Sequence, residues 1–314
     1  MLSAPTLPRY SEPLDSPPAW IAPDPAAIAA ALGLDHAHGS IRIEPRDDRF
    51  AALLPGDRIA WFPTSAAGAE RIEREARVLD LIATHCHFAV PRILASTPTV
   101  QLRQAVPGHV DPWGTYRRLK DDPAFARALG AELGTILADQ HLSVPATALS
   151  GWLKSTPAWP YPRATIARDL PTVITDTQLI ARALGVIDAY EATLAAVADP
   201  VLVHGDFGLH NLALAPDDTV AGIFDYDDAA CTDRHKDFSL LLFDSLDDSL
   251  LQSAIAAYRA AGGPALDPAR IALFNAAAAI GFLAYRRGSG PDDRPAGRTL
   301  NEDLAWTQLA LDRL

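Results

Sequence analysis

The chain has 314 residues, of which 49% are apolar and 21% are charged; this composition excludes a disordered chain and indicates a substantial folded core. Acidic residues outnumber basic ones by 39 to 27, so the net charge is −12. Because nucleic acids and anionic membranes bind basic surfaces, this charge argues against both as partners and suits a cationic substrate such as an amine-bearing sugar.

Strand patterns dominate the first part of the chain, after a proline-rich tail over residues 1–23. A short helix is predicted over residues 25–32, with Asp24 as its N-cap. A second helix is predicted over residues 70–83, where apolar side chains recur at helical spacing. Strands are predicted over residues 40–44, 50–54, 58–62, 92–95 and 100–104. We therefore expect a first lobe, residues 24–105, built on a small antiparallel sheet.

The pattern changes to mostly helix after residue 105. Helices are predicted over residues 123–141, 176–198, 234–243, 246–261, 267–286 and 299–311. The sequence thus predicts an α+β fold in which a larger, mostly helical lobe, residues 106–314, follows the first.

Polar residues that a packed core would exclude gather in one segment, residues 201–238, between short apolar runs. The first run, residues 201–203, is predicted as a buried strand that brings His204 and Asp206 into a loop. One interpretation of this loop is a transition-metal site of a hydrolase, with His204, Asp206 and His210 as ligands. That interpretation does not explain the hairpin that follows.

The predicted hairpin has strands over residues 212–215 and 219–224, so Asn211 precedes the first strand and Asp225 follows the second. Because the strands of a hairpin are antiparallel, these two residues should lie side by side, with Asp206 in the loop above them. Two carboxylates and an amide oxygen at one place are the ligands that a hard divalent cation requires.

The ordered motifs HGDFGLHN, IFDYDDA and DRHKDF resemble the catalytic segment of the aminoglycoside phosphotransferase and choline kinase group, the small-molecule relatives of protein kinases. The resemblance implies a two-lobed, protein-kinase-like fold and transfer of the γ-phosphate of ATP or GTP to a hydroxyl of a small molecule, such as an antibiotic. It implies that Asp206 orients and deprotonates the hydroxyl, while Asn211 and Asp225 hold Mg²⁺ against the phosphates. It also implies that Asp237 hydrogen-bonds the catalytic loop and that His204 packs beneath it.

The same resemblance assigns residues of the first lobe to the nucleotide. It places the base against Leu102, Gln104 and Ala105, whose backbone groups would read adenine or guanine; the alternative is an ordinary edge strand and linker. Glu75 matches the helical acid that pairs with a phosphate-binding lysine in relatives. The alternative for Glu75 is a pair with Arg71, one helical turn away.

The first lobe departs from the family pattern at that lysine. Trp61 stands on the third strand where relatives carry Lys or Arg, and no glycine-rich phosphate loop is apparent. The cations that could replace the lysine from another position are Arg42, Arg46, Arg49 and Arg58. The departure keeps a second class of function open, a catalytically silent kinase-like protein that binds a nucleotide or another ligand. The presence of Asp206, Asn211 and Asp225 together favours a working enzyme.

The acceptor should bind in the helical lobe, near Asp206 and the acidic run over residues 225–228. Other acids either line this site or are ordinary surface residues; they are Asp244, Asp247, Asp248, Glu302 and Asp303. No feature of the sequence selects among aminoglycosides, macrolides and other hydroxylated acceptors.

Two cysteines, Cys86 and Cys231, are too few for a disulfide framework, and residues 1–10 lack the features of a signal peptide. We therefore expect a reducing, cytoplasmic compartment. The longest apolar stretch, residues 276–285, is short for a membrane span, so no membrane partner is expected. We expect a monomer or a small homo-oligomer.

Overall fold

The computed structural model describes residues 20–33, 41–243, 248–290, 292–294 and 298–314. The proline-rich tail predicted over residues 1–23 lies outside the described residues except for its last four. The chain divides into two compact units: the first comprises Met1–His109 and Leu212–Asp227, and the second comprises Val110–Asn211 and Asp228–Leu314.

The secondary structure alternates sheet and helix in the first unit and is mostly helical in the second. The strands are β1 (Arg42–Pro45), β2 (Arg49–Leu54), β3 (Arg58–Pro63), β4 (Arg92–Ser96), β5 (Gln101–Gln104), β6 (Val201–Val203), β7 (Leu212–Leu214), β8 (Val220–Ile223) and β9 (Ala230–Thr232). The helices are α1 (Pro25–Leu32), α2 (Ala66–His85), α3 (Pro112–Asp121), α4 (Pro123–Ser143), α5 (Ala146–Leu149), α6 (Arg163–Asp169), α7 (Thr177–Ala195), α8 (His235–Phe243), α9 (Ser249–Ala260), α10 (Pro268–Tyr285) and α11 (Leu300–Leu311). The predicted α+β class, with an antiparallel sheet before a helical region, is confirmed.

The sheet of the first unit is antiparallel, in the order β1-β2-β3-β5-β4. A tight turn joins β2 to β3, and both Gly56 and Asp57 adopt positive φ there. Alternation along the two strands puts Phe50 and Phe62 on the same buried face, where their rings stack with centroids 4.8 Å apart. Burial of each such ring contributes roughly 2 to 3 kcal/mol, so this hydrophobic face holds the sheet together.

Helices α2 and α3 are two of the places where the helices differ from the sequence prediction. Helix α2 begins earlier than predicted because Ser65 caps it, its hydroxyl accepting a hydrogen bond from the Gly68 N–H at 3.1 Å. Helix α3 was not predicted, since its sequence is polar and contains a glycine. It begins at Pro112 and is capped by Asp111, whose carboxylate accepts from the Gly114 N–H at 2.9 Å.

The hairpin of β7 and β8 groups with the first unit, whereas the sequence placed all of residues 106–314 in the second lobe. The reason is backbone pairing. His109 and Leu214 exchange two N–H···O bonds of 2.9 Å each, and the Ile223 N–H donates to the Ala89 carbonyl at 3.0 Å. Gly108 permits this approach, because a Cβ there would stand 2.5 Å from the Leu214 carbonyl oxygen.

Glycines also permit the close contact of α4 and α9 in the second unit. A Cβ on Gly130 would lie 2.3 Å from the Leu250 carbonyl oxygen, and one on Gly134 would lie 2.1 Å from that of Ala254. The two helices therefore touch backbone to backbone, and this contact supports the end of α4 that carries Gln140 and His141.

Helix α10 is the one described helix that is long and apolar enough to cross a membrane, judged by length and composition alone. Two thirds of it (67%) is buried inside the protein, where it packs against α7, α8 and α11. A core helix meets the same criteria, so this helix is weak evidence for a membrane span.

We expect Gly134→Ala to destabilise the protein by about 2 kcal/mol, because the new methyl group must displace the backbone of α9. Gly185→Ala is the matched control in α7, since no atom lies within 4 Å of its Cβ position. There the substitution should stabilise by about 0.5 to 1 kcal/mol through helix propensity. Urea unfolding of both variants tests the contact; equal midpoints would contradict it.

Candidate active site

The loop after β6 carries the first group of predicted site residues. His204 is fully buried at the end of the strand, and its ring nitrogen Nδ1 accepts a hydrogen bond from the Asp206 N–H at 3.3 Å. Between them Gly205 has φ of +86°, and a Cβ there would lie 2.3 Å from the Asp228 carbonyl oxygen. Only glycine combines this backbone conformation with this close approach, which accounts for the middle residue of the motif.

Asp237, near the start of α8, ties the loop to the core of the second unit. Its carboxylate is fully buried and accepts from the His204 N–H at 2.9 Å and the Gly205 N–H at 3.0 Å. Gln140 and His141 of α4 also bond it, at 3.2 and 3.1 Å. These donors compensate for removing the carboxylate from water, so the loop is held in one conformation.

Asp206 and Asn211 lie in direct contact. The Asn211 amide nitrogen donates to the Asp206 backbone carbonyl at 2.9 Å and to its carboxylate at 3.0 Å. His210 bonds the same carboxylate oxygen at 2.9 Å, and 40% of the Asp206 side chain remains exposed. Burial alone would raise the pKa of Asp206, but the bond and charge of His210 and the charge of Lys236 lower it to about 2. Asp206 is therefore ionised at neutral pH and able to accept a proton or a hydrogen bond.

Asp225 belongs to the first unit, where it follows β8. The pairing of Leu212 with Ile223 shows that the predicted hairpin is present. Asp225 is exposed and has φ of +66°, which is uncommon for a residue with a side chain. The structure brings His204, Asp206, Asn211 and Asp237 together in one unit, while the approach of Asp225 to Asn211 stays a prediction.

The donor atoms of these residues fit a hard cation better than a transition metal. The amide nitrogen of Asn211 is committed to Asp206, which leaves the amide oxygen as the group able to bind a ligand. Within the described part of the chain, no three His, Cys, Asp or Glu side chains converge as a metal cluster. His204, Asp206 and His210 therefore do not form the transition-metal site that the sequence left open, whereas oxygen ligands from Asn211 and Asp225 suit Mg²⁺.

Glu75 pairs with a cation that sequence reasoning missed. Its carboxylate lies 2.7 Å from Nη1 of Arg103, on β5, and both side chains are almost fully buried. Nε of Arg103 donates to the Gln101 side chain at 2.6 Å, and Nη2 is buried with no hydrogen-bond partner among the described residues. The guanidinium also lies 5.8 Å from the centre of the Trp61 ring. A cation is thus present beside Trp61, but it comes from β5 and not from β3.

Arg71, the alternative partner of Glu75, bonds Asp227 instead. Arg71 and Arg49 both donate to the Asp227 carboxylate, Arg49 at 2.9 Å. Burial raises the pKa of Asp227, but these two guanidinium groups outweigh that effect and lower it. Arg71 and Arg49 are also paired with Asp48, at 3.2 and 3.0 Å. This cluster fixes the start of β2 to α2 and to the segment after β8, all within the first unit.

The other three candidates, Arg42, Arg46 and Arg58, bond groups other than Glu75. Arg42 and Arg46 both pair with Glu44, at 3.0 and 3.7 Å, and half or more of each arginine side chain is exposed. Arg58 donates to the Pro55 carbonyl at 3.0 Å. A signal for Arg103 did exist in the sequence: β5 carries polar residues at the positions that face inward.

The segment predicted to contact the nucleotide base has fewer free hydrogen-bonding groups than the sequence suggested. Strand β5 lies between β3 and β4, so Leu102 and Gln104 are paired on both sides and the edge-strand alternative is wrong. The Ala105 N–H donates to the Asp57 carbonyl at 2.8 Å, and the Gln104 side chain donates to the same oxygen at 2.9 Å. These backbone donors are therefore occupied, and a base would have to use groups that the sheet leaves open.

Lys236 is a second residue that sequence reasoning missed. It is fully buried near the loop between β6 and β7, residues 204–211, which we call the catalytic loop. Its Nζ has no hydrogen-bond partner within the described part of the chain. Burial lowers its pKa, and the carboxylates of Asp206, Asp237 and Asp228 act in the opposite direction. A buried ammonium near these carboxylates favours the ionised form of Asp206.

A cavity of about 500 Å³ in the second unit opens beside Asp206. Its walls include Asp206, Leu209 and His210 from the catalytic loop and Trp113 from α3. A cavity of this size suits a small-molecule ligand, and the ionised Asp206 lies where it can contact one.

Comparison with known proteins agrees with this geometry. Residues 42–274 match the family model described as "Phosphotransferase enzyme family". Similar solved structures include a GDP complex of aminoglycoside 2'-phosphotransferase-IIIa, with 19% identity, a TM-score of 0.67, and coverage of 91% of this chain and 96% of that one. Macrolide 2'-phosphotransferase type I matches with 20% identity, a TM-score of 0.60, and coverage of 92% and 94%.

Macrolide 2'-phosphotransferase MphH from Brachybacterium faecium matches with 24% identity, a TM-score of 0.57, and coverage of 91% and 97%. No protein with a curated description matches the chain in sequence. At these identities the solved structures establish the fold, and they confirm the kinase-like fold that the motifs predicted.

We expect Asp237→Asn to destabilise the protein by about 2 to 4 kcal/mol, because an amide cannot accept from four donors and leaves buried N–H groups unpaired. Asp217→Asn, in an exposed turn, is the matched control and should change stability by less than about 0.5 kcal/mol. Urea unfolding measures both. A stability for Asp237→Asn equal to that of the control would show that the carboxylate does not hold the loop.

Proposed function

The chain belongs to the phosphotransferase enzyme family, and we propose that it transfers the γ-phosphate of ATP or GTP to a hydroxyl of a small molecule, such as an antibiotic. The observation that carries the proposal is the ionised carboxylate of Asp206, held by Asn211 and His210 at the wall of the cavity.

Asp206 acts on the acceptor hydroxyl. A carboxylate with a pKa near 2 is a weak base, so it orients the hydroxyl by accepting its hydrogen bond and takes the proton as the oxygen bonds to phosphorus. Phosphoryl transfer depends chiefly on positioning and on neutralising charge, so a weak but fixed base suffices. The contacts of Asp206 with Asn211 and His210 supply that fixed position.

The proposal assigns Mg²⁺ to Asn211 and Asp225. The amide oxygen of Asn211 and the exposed carboxylate of Asp225 are the oxygen ligands that the sequence motif contributes. Mg²⁺, when bound, neutralises charge on the nucleotide phosphates. The role of these two residues is to present oxygen atoms, and the hydrogen bonds from the Asn211 amide nitrogen to Asp206 fix its orientation.

Arg103 supplies the cation that the absent lysine would provide. Its guanidinium is positioned by Glu75 and Gln101 and keeps Nη2 without a partner in a buried setting. An unpaired buried N–H is costly, and a phosphate oxygen would satisfy it. Trp61 at the position of the lysine favoured a catalytically silent protein. With Arg103 as the cation, a lysine at that position is not required.

The proposal also covers the compartment, the oligomeric state and the nucleotide donor. Neither Cys86 nor Cys231 forms a disulfide, which is compatible with a reducing compartment, and we propose a cytoplasmic location and a monomer or small homo-oligomer. The relative solved with GDP supports a guanine nucleotide as one possible donor, and both ATP and GTP belong in the first assay.

Asp206→Asn should lower nucleotide-dependent phosphorylation of the acceptor by about 100- to 10,000-fold, the usual contribution of a positioned base. Nucleotide binding, measured by calorimetry with Mg²⁺, should be unchanged. Asp217→Asn serves as the control variant. Phosphorylated product detected by mass spectrometry at the wild-type rate would end the assignment of Asp206. Nucleotide binding by the wild type without turnover of any acceptor would favour the silent alternative.

Arg103→Ala should raise the KM for the nucleotide at least about tenfold, because a phosphate loses a charged hydrogen bond. Glu75→Gln, which leaves the guanidinium without its carboxylate, should have a smaller effect on KM. Arg58→Ala is the control, since Arg58 bonds only the turn at Pro55 among the described residues. Steady-state kinetics with ATP and GTP measure all three. An unchanged KM in a folded Arg103→Ala variant would contradict the role.

A further inference from the structure

The cavity beside Asp206 has an apolar wall. It lies entirely within the second unit and is formed by helices α3, α8 and α10 with the catalytic loop. Its lining side chains are mainly aromatic and aliphatic; the apolar members are Pro112, Trp113, Tyr116, Trp159, Leu209, Leu240, Ala278, Phe282 and Tyr285.

The aromatic side chains of this wall are held in place by one another and by the backbone. Trp159 donates its indole N–H to the Ala278 carbonyl at 3.3 Å, and its ring meets Tyr285 edge to face at 6.3 Å. Gly281 of α10 permits this position, because a Cβ there would lie 3.2 Å from the Trp159 ring. On the opposite helix, Trp113 packs edge to face on Tyr116 at 6.5 Å. The apolar surface is therefore built into the fold.

Few charges reach the cavity. Its ionisable lining residues are Asp206, His210, Asp228 and Arg298. Asp206 is already bonded by His210 and Asn211, and Arg298 pairs with Asp303 at 2.8 Å. No additional acid lines the cavity among the described residues.

The acids that the sequence offered for an acceptor site are engaged elsewhere. Asp303 is buried between Arg286 and Arg298, and Asp248 pairs with Arg313 at 2.7 Å. Glu302 caps α11, where it accepts from the Thr299 N–H at 2.6 Å. Asp244 and Asp247 lie outside the described residues. Of the acids that the structure describes, Asp206 and Asp228 alone line this wall.

We propose that the acceptor is a bulky, mostly apolar alcohol with at most one cationic group, and not a polycationic aminosugar. The proposal rests on the function proposed above and names the substrate class of the same site. A polycation in this cavity would lose water around several ammonium groups, while Asp206 and Asp228 are the only carboxylates among the described residues that line it, which is unfavourable. An apolar molecule gains binding free energy when it covers the aromatic wall, because apolar surface is removed from water. A hydroxyl group of that molecule can reach Asp206.

Binding is tested on the full chain without nucleotide, by tryptophan fluorescence, because Trp113 and Trp159 line the cavity. Erythromycin, a macrolide with one amine, and hydrocortisone, a neutral polycyclic alcohol, are the apolar probes. Kanamycin and gentamicin are the polycationic probes. We expect at least one apolar probe to bind at least about tenfold more tightly than either polycation. A tenfold difference in Kd corresponds to a difference of about 1.4 kcal/mol in binding free energy.

Trp113→Glu supplies the site-specific variant. Trp113 is 45% exposed, so a glutamate at this position can keep its carboxylate in water. It should weaken binding of the apolar probe at least about tenfold, because a charge replaces an aromatic wall. Leu309→Glu, at an equally exposed apolar residue (55%) that does not line the cavity, adds the same charge and should change nothing.

Release of ADP or GDP with Mg²⁺ present is measured separately for each probe. Tighter binding or faster turnover of kanamycin or gentamicin would overturn the substrate class while supporting phosphoryl transfer. Binding of neither apolar probe would also overturn it. Apolar binding that Trp113→Glu abolishes, without turnover of any probe, would support the apolar site and overturn the proposed transfer.

Discussion

The carboxylate of Asp237 is the group on which the geometry of the catalytic loop depends. It is fully buried, and its two oxygens accept from the His204 and Gly205 N–H groups and from Gln140 and His141 of α4. Such an anion is stable only when every donor is in place, because desolvation would otherwise cost several kcal/mol. The loop is consequently fixed to α4, and α4 in turn packs backbone to backbone on α9. Precise placement of Asp206 therefore begins in helix packing outside the loop that carries it.

Each unit also contains a buried cationic side chain with an N–H group that makes no hydrogen bond to the described residues. In the first unit this is Arg103, which pairs with Glu75 but keeps Nη2 unbonded within the described residues. In the second unit one such cation is Lys236, whose Nζ has no partner among them; nearby carboxylates compensate its charge. Burying a charge without full hydrogen bonding lowers stability, and perturbed buried charges are common at functional sites. Lys236 acts on the charge of Asp206, and Arg103 is the cation that we propose for a phosphate of the nucleotide.

The parts of the structure that depend on local sequence could be predicted, and those that depend on strand order could not. The hairpin of β7 and β8, the cap at Asp24 and the motif around Asp206 are encoded within short segments, so turn residues and alternation sufficed. The partner of Glu75 depends on β5 lying beside β3, a pairing between residues more than 40 positions apart. No local pattern specifies such a pairing. Because relatives carry the cation on β3, it was not expected on β5 at Arg103. The same limit applies to the hairpin's membership of the first unit, which rests on its bonds to His109 and Ala89.

Family membership determines the chemistry of this site more closely than it determines the acceptor. Asp206, Asn211 and the loop that holds them come from short motifs, whereas the cavity wall is assembled from α3, α8 and α10, which lie far apart in the sequence. Helix α3 was not predicted at all, although it contributes Trp113 and Tyr116. Overall charge says little about this wall, because the described acids that the sequence offered for the acceptor site are paired with arginines or cap a helix. A fold can keep its catalytic loop while its helices change the class of molecule that reaches it, so the acceptor has to be inferred from the wall itself.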